Sequence, residues 1–443
     1  MLKFGIFFFM FVMVIPFLAF ITAKSDRCKF IVFAIMLFFT CTMQAIHIAP
    51  LPEWTGTARG FAFTMVDICC LGLFLGMCFD KRCPVKKIPT GAWLFFIYFA
   101  FILLSGINAP YKLQWGFEVL KMFWMYLFFV TSYNFILHYK SLWPIMYVIC
   151  VIVFFMFCVG FYQKYLSGGR YQIPSTMPHQ NSMTLYLELF GCIILGVLLN
   201  EKLNALRTMI LLTGFFSSLL LLLFSFSRGG LVCFLFAIML VALLSVVLGG
   251  FSMQKMSFIL LGVVGGSILL TLAMPRIIQR FEKAPEASKN TRIYLAYAAT
   301  RMANDYKLGV GANNFSAFSG PFEKYAVEMY ENTKINEEES DPYGGVVETI
   351  YLLVAAECGW GGLVALLVWF IYYWMVSFNN MMFLRCHETF GVAIGCTFGL
   401  LANYFQSAIE WSLKQYNNFY ELMFVFALVA ALSVYRKRMM GKK

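Results

Sequence analysis

Charge is scarce in this chain: Asp, Glu, Lys and Arg together make up 13% of 443 residues, against 61% hydrophobic and 19% aromatic. A soluble globular protein has nowhere to hide that much apolar surface. Ten-residue segments of alternating polarity are also lacking, which excludes a transmembrane β-barrel; stretches such as Phe4 to Ala23 and Gly230 to Gly249 are continuously apolar instead. None of the 13 cysteines falls in the one long polar segment, and Cys69, Cys70, Cys150, Cys158, Cys192 and Cys233 sit inside apolar runs. Neither a disulfide framework nor a zinc site is expected. No internal repeat or matched pair of Gly/Pro-broken helices is visible, which weighs against an inverted-repeat transporter.

What is present is a series of apolar runs near the twenty residues needed to cross a bilayer. Thirteen spans are predicted: 4–23, 30–47, 61–79, 92–107, 117–138, 142–166, 183–199, 208–227, 230–249, 256–274, 347–377, 389–406 and 419–435. The first exceeds the apolar core of a signal peptide and is read as a retained span. The expected fold is all-α and polytopic, with about 12–13 transmembrane helices and one large extracytoplasmic loop containing short helices. It divides into N-terminal spans (1–166), central spans (167–274), the large loop (275–346), and C-terminal spans with a basic tail (347–443).

The net charge of +12 follows topology, since the basic residues lie in short connectors; no nucleic-acid partner is expected. One side carries Lys24, Arg27, Lys29, Lys81, Arg82, Lys86, Lys87, Lys140, Lys202, Arg207, Lys255, Arg385, Arg436, Lys437, Arg438, Lys442 and Lys443, seventeen in all. The short connectors of the other side carry seven: Lys3, Arg59, Lys112, Lys164, Arg170, Arg228 and Lys414. By the positive-inside rule the C-terminus is cytoplasmic, and the loop 275–346 is outside with Arg170 and Arg228.

Charged groups at membrane depth are costly, and each needs a reason. Glu118 and Lys121, three apart on one helix face, are expected to pair and serve packing. Asp67 and Glu188 lie mid-span without an evident partner, and Glu421 is placed near a span end. Arg228 lies in Ser225-Phe-Ser-Arg-Gly-Gly230, where small neighbours leave room for a ligand to approach the guanidinium, or for the side chain to snorkel to headgroups. In the loop, Asn290 or Thr291 is expected to cap a helix through Asn304, placing Arg292 in its first turn, where free N–H groups favour an anion. Arg301, nine residues on, would face away.

The turn Lys307-Leu-Gly-Val-Gly-Ala-Asn-Asn-Phe315 either approaches a phosphate or merely connects elements. Glu337-Glu-Glu-Ser-Asp341 lacks the ligand spacing of a calcium loop and reads as solvated. Glu348 and Glu357 are expected on opposite faces of one span, Glu348 at its mouth near the loop arginines and Glu357 anchoring helix packing.

In order, these pieces resemble the O-antigen ligase and polymerase superfamily of bacterial membrane glycosyltransferases, over roughly Arg170 to Gly361. Arg170 through Met177-Pro-His-Gln-Asn181 resembles a family loop ending in a Pro-x-Asn type turn, and Ser227-Arg228-Gly229 its Ser-Arg-Gly element. Arg292 with Gly309-Val-Gly311 is similar to the arginine helix and Gly-Val-Gly turn of the large loop, and Glu348-Thr-Ile-Tyr-Leu with Glu357-Cys-Gly359 to the helix after it. The family commonly has histidine where this chain has Glu348.

The resemblance implies transfer of a glycan from a polyprenyl-pyrophosphate-linked donor to an acceptor hydroxyl on a glycan or lipid, at the extracytoplasmic face of the inner (plasma) membrane. Arg228, Arg292 and Arg170 would bind the pyrophosphate, with Asn181, Gly309 and Gly311 as supporting loop residues. Arginine forks can offset the leaving group's charge without a metal, so neither cofactor nor metal is expected. Glu348 would be the base on the acceptor hydroxyl, giving inversion. The rival is a multi-span transporter or flippase of lipid-linked saccharide or another solute. A transporter would place its charges near the midplane, whereas Arg228, Arg292 and Glu348 fall at one face.

Overall fold

The computed structural model describes residues 2–42, 44–139, 141–168, 172–282, 286–320, 323–325 and 345–441. Arg170 and the acidic run 337–341 lie outside the described residues. The chain begins with α1 (Leu2–Phe9), a π turn at Met10–Val14 and α2 (Ile15–Lys24), then α3 (Asp26–Phe38), β1 (Ala45–Ile48), β2 (Phe61–Thr64), α4 (Met65–Phe79), α5 (Ala92–Ser105), α6 (Lys112–Tyr139) and α7 (Trp143–Tyr165). There follow α8 (Gln180–Asn200), α9 (Ala205–Ser225), α10 (Arg228–Gly249), α11 (Met253–Glu282), α12 (Glu286–Asp305) and the short α13 (Phe315–Phe318). The last three helices are α14 (Ile350–Phe383), α15 (Phe390–Gln406) and α16 (Tyr416–Met440).

Among the described residues eight helical stretches are long and apolar enough to cross a membrane: Gly5–Lys24, α6, α7, α8, α9, α10, α14 and α16. Four more apolar helices are shorter: α4, α5, α15 and Met253–Ile268 of α11. The protein is an all-α polytopic membrane protein.

Local chemistry sets the boundaries. Ser25, Asn204 and Ser227 each cap a helix by accepting a backbone N–H three residues on. Thr64 and Asp67 form a reciprocal capping box at the start of α4, so Asp67 is a cap, further held by the Tyr420 hydroxyl.

Two expected spans are corrected at this end of the chain. The run 30–47 does not continue as helix: α3 stops at Phe38, and Ala45–Ile48 pairs antiparallel with Phe61–Thr64, so the run 61–79 begins as a strand. Apolarity alone did not distinguish the two, because β-branched and aromatic residues suit a half-buried hairpin as well as a lipid-facing helix.

The core is built around α8, whose apolar window is wholly buried, and α16; α10 lies at the periphery. The α8–α15 seam is closed by small residues. A Cβ on Gly196 would meet the Gly391 carbonyl oxygen at 2.2 Å, and one on Gly395 the Ile193 Cα at 2.4 Å. At one end of the bundle Lys29, Asp26, Asp80 and Arg82 form an ion-pair network, with His138 hydrogen-bonded to Asp26. The loops discussed below lie at the opposite end.

Helix α14 is broken at Gly359, which has φ 74° and ψ 171°. The break receives the glycine turn: Val310 N–H donates to the Ala356 carbonyl (2.9 Å) and Gly311 N–H to that of Glu357 (3.0 Å). Gly309, at φ 77°, could carry no side chain, since a Cβ would lie 2.2 Å from the Glu357 carbonyl carbon. The turn thus supplies donors to carbonyls that the kink frees.

Candidate active site

Five segments converge at the loop end of the bundle around a polar cavity of about 710 Å³. They are the approach to α8 (Gln172, His179, Gln180, Asn181), the start of α10 (Phe226 to Gly229), Arg292 of α12, the stretch with Val346 and Glu348, and the loop from Ile409 to Gln415. Arg228, Arg292, Glu348 and Asn181, assembled from separate stretches of sequence, therefore share one cavity.

Arg228 is the first residue of α10 and exposed. Its placement depends on close approach of the helix start to its neighbours, because a Cβ on Gly230 would lie 2.5 Å from the Thr184 side chain and one on Gly229 2.4 Å from that of Ile409. Only small residues let this turn settle against α8.

Arg292 is not in a first turn. Helix α12 starts at Glu286, so Arg292 is its seventh residue and the free amides of the helix N-terminus are not beside it. Glu286-Ala-Ser-Lys continues the helix backwards because an acidic residue in the first turn favours that end. What orients Arg292 is Glu348, whose Oε2 lies 2.5 Å from Nη2. Both side chains remain accessible, at 44% and 34%. Glu348 lies two residues before α14 rather than within it.

The other carboxyl of the cavity is Glu410. It is 8% exposed and accepts a hydrogen bond from the Asn181 side-chain amide. Burial, reinforced by the nearby Glu348 charge and opposed by Arg292 and Asn181, pushes its carboxyl up to about 8. Asn181 is fixed in turn, its carbonyl accepting from Gln406 Nε2 at 3.2 Å and from Thr184 Oγ1 at 2.9 Å. His179 caps α8 through Nδ1, which accepts the Asn181 N–H at 3.3 Å. Nothing in the spacing of the sequence links Glu410 to Asn181, 229 residues apart.

Gly309 and Gly311 do not line the cavity; they serve the α14 break described above. Glu357 is also absent from it. Glu357 Oε2 accepts from Lys414 Nζ at 2.6 Å, Lys414 lies 3.5 Å from Glu118, and Glu118 lies 2.5 Å from Lys121. This buried group of two acids and two bases ties α6 and α14 to the segment Ser412–Gln415 that walls the cavity. The expected Glu118–Lys121 pair is thus half of a larger set.

Beside the polar cavity lies an apolar one of about 670 Å³ between α8, α9, α10 and α11, lined among others by Leu222, Leu223 and Leu231. Leu231 of the apolar cavity lies three residues after Arg228 of the polar one, so the first turn of α10 contributes a residue to each.

Residues 213–367 match the family model described as O-antigen ligase. This stretch is similar to the domain of the O-antigen ligase and polymerase superfamily. The match runs from within α9 to within α14 and takes in Arg228, Arg292, Gly309, Gly311, Glu348 and Glu357, but not Asn181 or Glu410. It supports a membrane glycan-processing function of ligase or polymerase type, acting on lipid-linked glycan. No curated protein matches the sequence.

Proposed function

We propose that the protein transfers a glycan from a polyprenyl-pyrophosphate donor to an acceptor hydroxyl at the outer face of the membrane, without a metal and with inversion. The observation that carries this reading is the pair of cavities. Two arginines stand in a polar chamber suited to a pyrophosphate, and the apolar chamber beside Arg228 suits an isoprenoid chain.

In this reading Arg228 and Arg292 hold the pyrophosphate as planar forks and offset the charge that grows on it as the glycosidic C–O bond breaks. Arg170 is proposed as a third contact from the loop before α8. When pyrophosphate engages Arg292, Glu348 loses its ion-pair partner and is released to take the proton of the acceptor hydroxyl. Attack from the face opposite the leaving group inverts the anomeric carbon. Burial raises the Glu410 carboxyl to about 8, so it keeps its proton at neutral pH and adds no further negative charge beside the pyrophosphate.

The test is conversion of a lipid-linked glycan donor by purified protein in excess chelator, with free polyprenyl pyrophosphate as the second product. Activity that is lost in chelator and restored by magnesium or calcium would overturn metal independence. Transport of the donor without new glycosidic bonds would overturn the transferase reading.

A further inference from the structure

Beneath the polar cavity, α8, α15 and α16 enclose carboxylates that the transfer reaction does not use. Glu188 is the ninth residue of α8, about 12 Å along the helix from its cavity end. Glu421 is the sixth residue of α16. Both are fully buried, and the two helices that carry them pack against each other. Glu188 Oε1 and both carboxylate oxygens of Glu421 have no hydrogen-bond partner among the described residues.

Asn403 of α15 lies between these groups and the cavity. Its Nδ2 donates to the Leu185 carbonyl at 2.7 Å, a bond only the NH₂ group can make, and to Glu188 Oε2 at 3.2 Å. Its orientation is therefore fixed, and Asn403 Oδ1, also buried, is left without a donor. One turn nearer the cavity Gln406 repeats the pattern: Nε2 donates to the Asn181 carbonyl, and Oε1 is unpaired.

Every unpaired atom in this group is an acceptor. Buried polar atoms are nearly always satisfied, and uncompensated carboxylates at membrane depth are costly. Among the described residues the cluster has no positive charge beside it, since its titratable neighbours Tyr186, Cys192 and Cys233 can supply none. Four orphan oxygens, with a fifth on Gln406, fall short of the six to eight that calcium takes. One monovalent cation, with one of the two carboxyls keeping its proton, leaves the pair neutral.

We propose that Glu188, Asn403 and Glu421 form an internal site for a monovalent cation, a sodium ion bound in competition with protons. Oxygens from three helices would meet on the ion and clamp α8, α15 and α16 together. Through Gln406 and Asn181 the clamp bears on Glu410, so occupancy of this site steadies one wall of the cavity above it.

The experiment is thermal unfolding of the full chain in detergent, in sodium chloride against choline chloride at equal ionic strength, at pH 6 and pH 8. Sodium is expected to raise Tm saturably by a few degrees, and more at pH 8, where fewer protons compete. Glu421→Gln is expected to abolish the sodium response while melting in choline at least as high as the unsubstituted protein, because it removes a buried charge without changing shape. Glu188→Gln, which can still bond Asn403, should weaken the response.

Equal melting in sodium and choline, or a sodium response that survives Glu421→Gln, would overturn the proposal. A protein that responds to pH alone, with both glutamine variants flattening that response, holds only protons there, and the sodium site is then wrong. None of these readings depends on glycan transfer.

Discussion

Arg292 Nη2 and Glu348 Oε2 stand 2.5 Å apart across the mouth of the polar cavity, joining a helix of the large loop to the segment before α14. In the proposed reaction the contact would link donor binding to proton transfer, because an anion that takes Arg292 would also release Glu348. The family resemblance places a histidine at this position. A histidine could not hold the arginine in this way, and the pairing gives the carboxylate a gate that a neutral imidazole would lack.

The arginines can be tested by charge-conserving substitution. Arg228→Lys and Arg292→Lys keep the charge but lose the planar fork, and each is expected to lower glycan transfer by about two orders of magnitude. Arg301→Lys should be close to silent. Near-normal transfer by both cavity variants, measured on lipid-linked donor, would remove the pyrophosphate role.

For Glu348, the glutamine variant is expected to abolish transfer while donor binding stays nearly intact, and Glu348→His should keep partial activity. An active Glu348→Gln enzyme would show that the carboxylate only partners Arg292.

Glu410 gives a pH signature. Its carboxyl is raised from 4.5 to about 8, so the folded protein holds a proton that the unfolded chain has released. The stabilisation is full below pH 4.5 and is lost as pH rises through 8. Tm should therefore fall across that window, and Glu410→Gln should flatten the fall. Transfer should also decline above pH 8, where a second negative charge appears beside the bound pyrophosphate. A pH profile unchanged by Glu410→Gln would place Glu410 outside the chemistry.

The buried group around Lys414 predicts a different kind of defect. Lys414→Met leaves Glu118 and Glu357 with Lys121 as the one remaining cation of the group among the described residues and is expected to cost about 3–5 kcal/mol, seen as lost yield and a lower Tm. Glu357→Gln should be milder and leave turnover per folded molecule nearly unchanged. A large fall in turnover with Tm preserved would assign Glu357 to the reaction instead.

Topology is checked with reporter fusions. A fusion at Lys443 should report cytoplasm and one within 332–343 the outside, following the seventeen-to-seven basic asymmetry. An external C-terminus would reverse the sidedness of the cavity.

The sequence by itself determined the membrane and most of the helices, while the family resemblance proposed Arg228, Arg292, Glu348 and Asn181 together with Arg170, Gly309 and Gly311. Apolar run length and short-range motifs are local properties, and they survive translation into structure. It also marked Glu118–Lys121 as a pair, since three residues on a helix fix that contact. Only the tertiary structure decided the rest. The hairpin at 45–64 depends on pairing across a gap, and the glycine turn proved to fit the break at Gly359, 48 residues past Gly311. Glu410 meets Asn181, and Lys414 meets Glu357, across separations of 229 and 57 residues. A carboxyl's proton affinity and partner are set by what packs around it, and packing between distant helices has no period in the sequence from which it could be read.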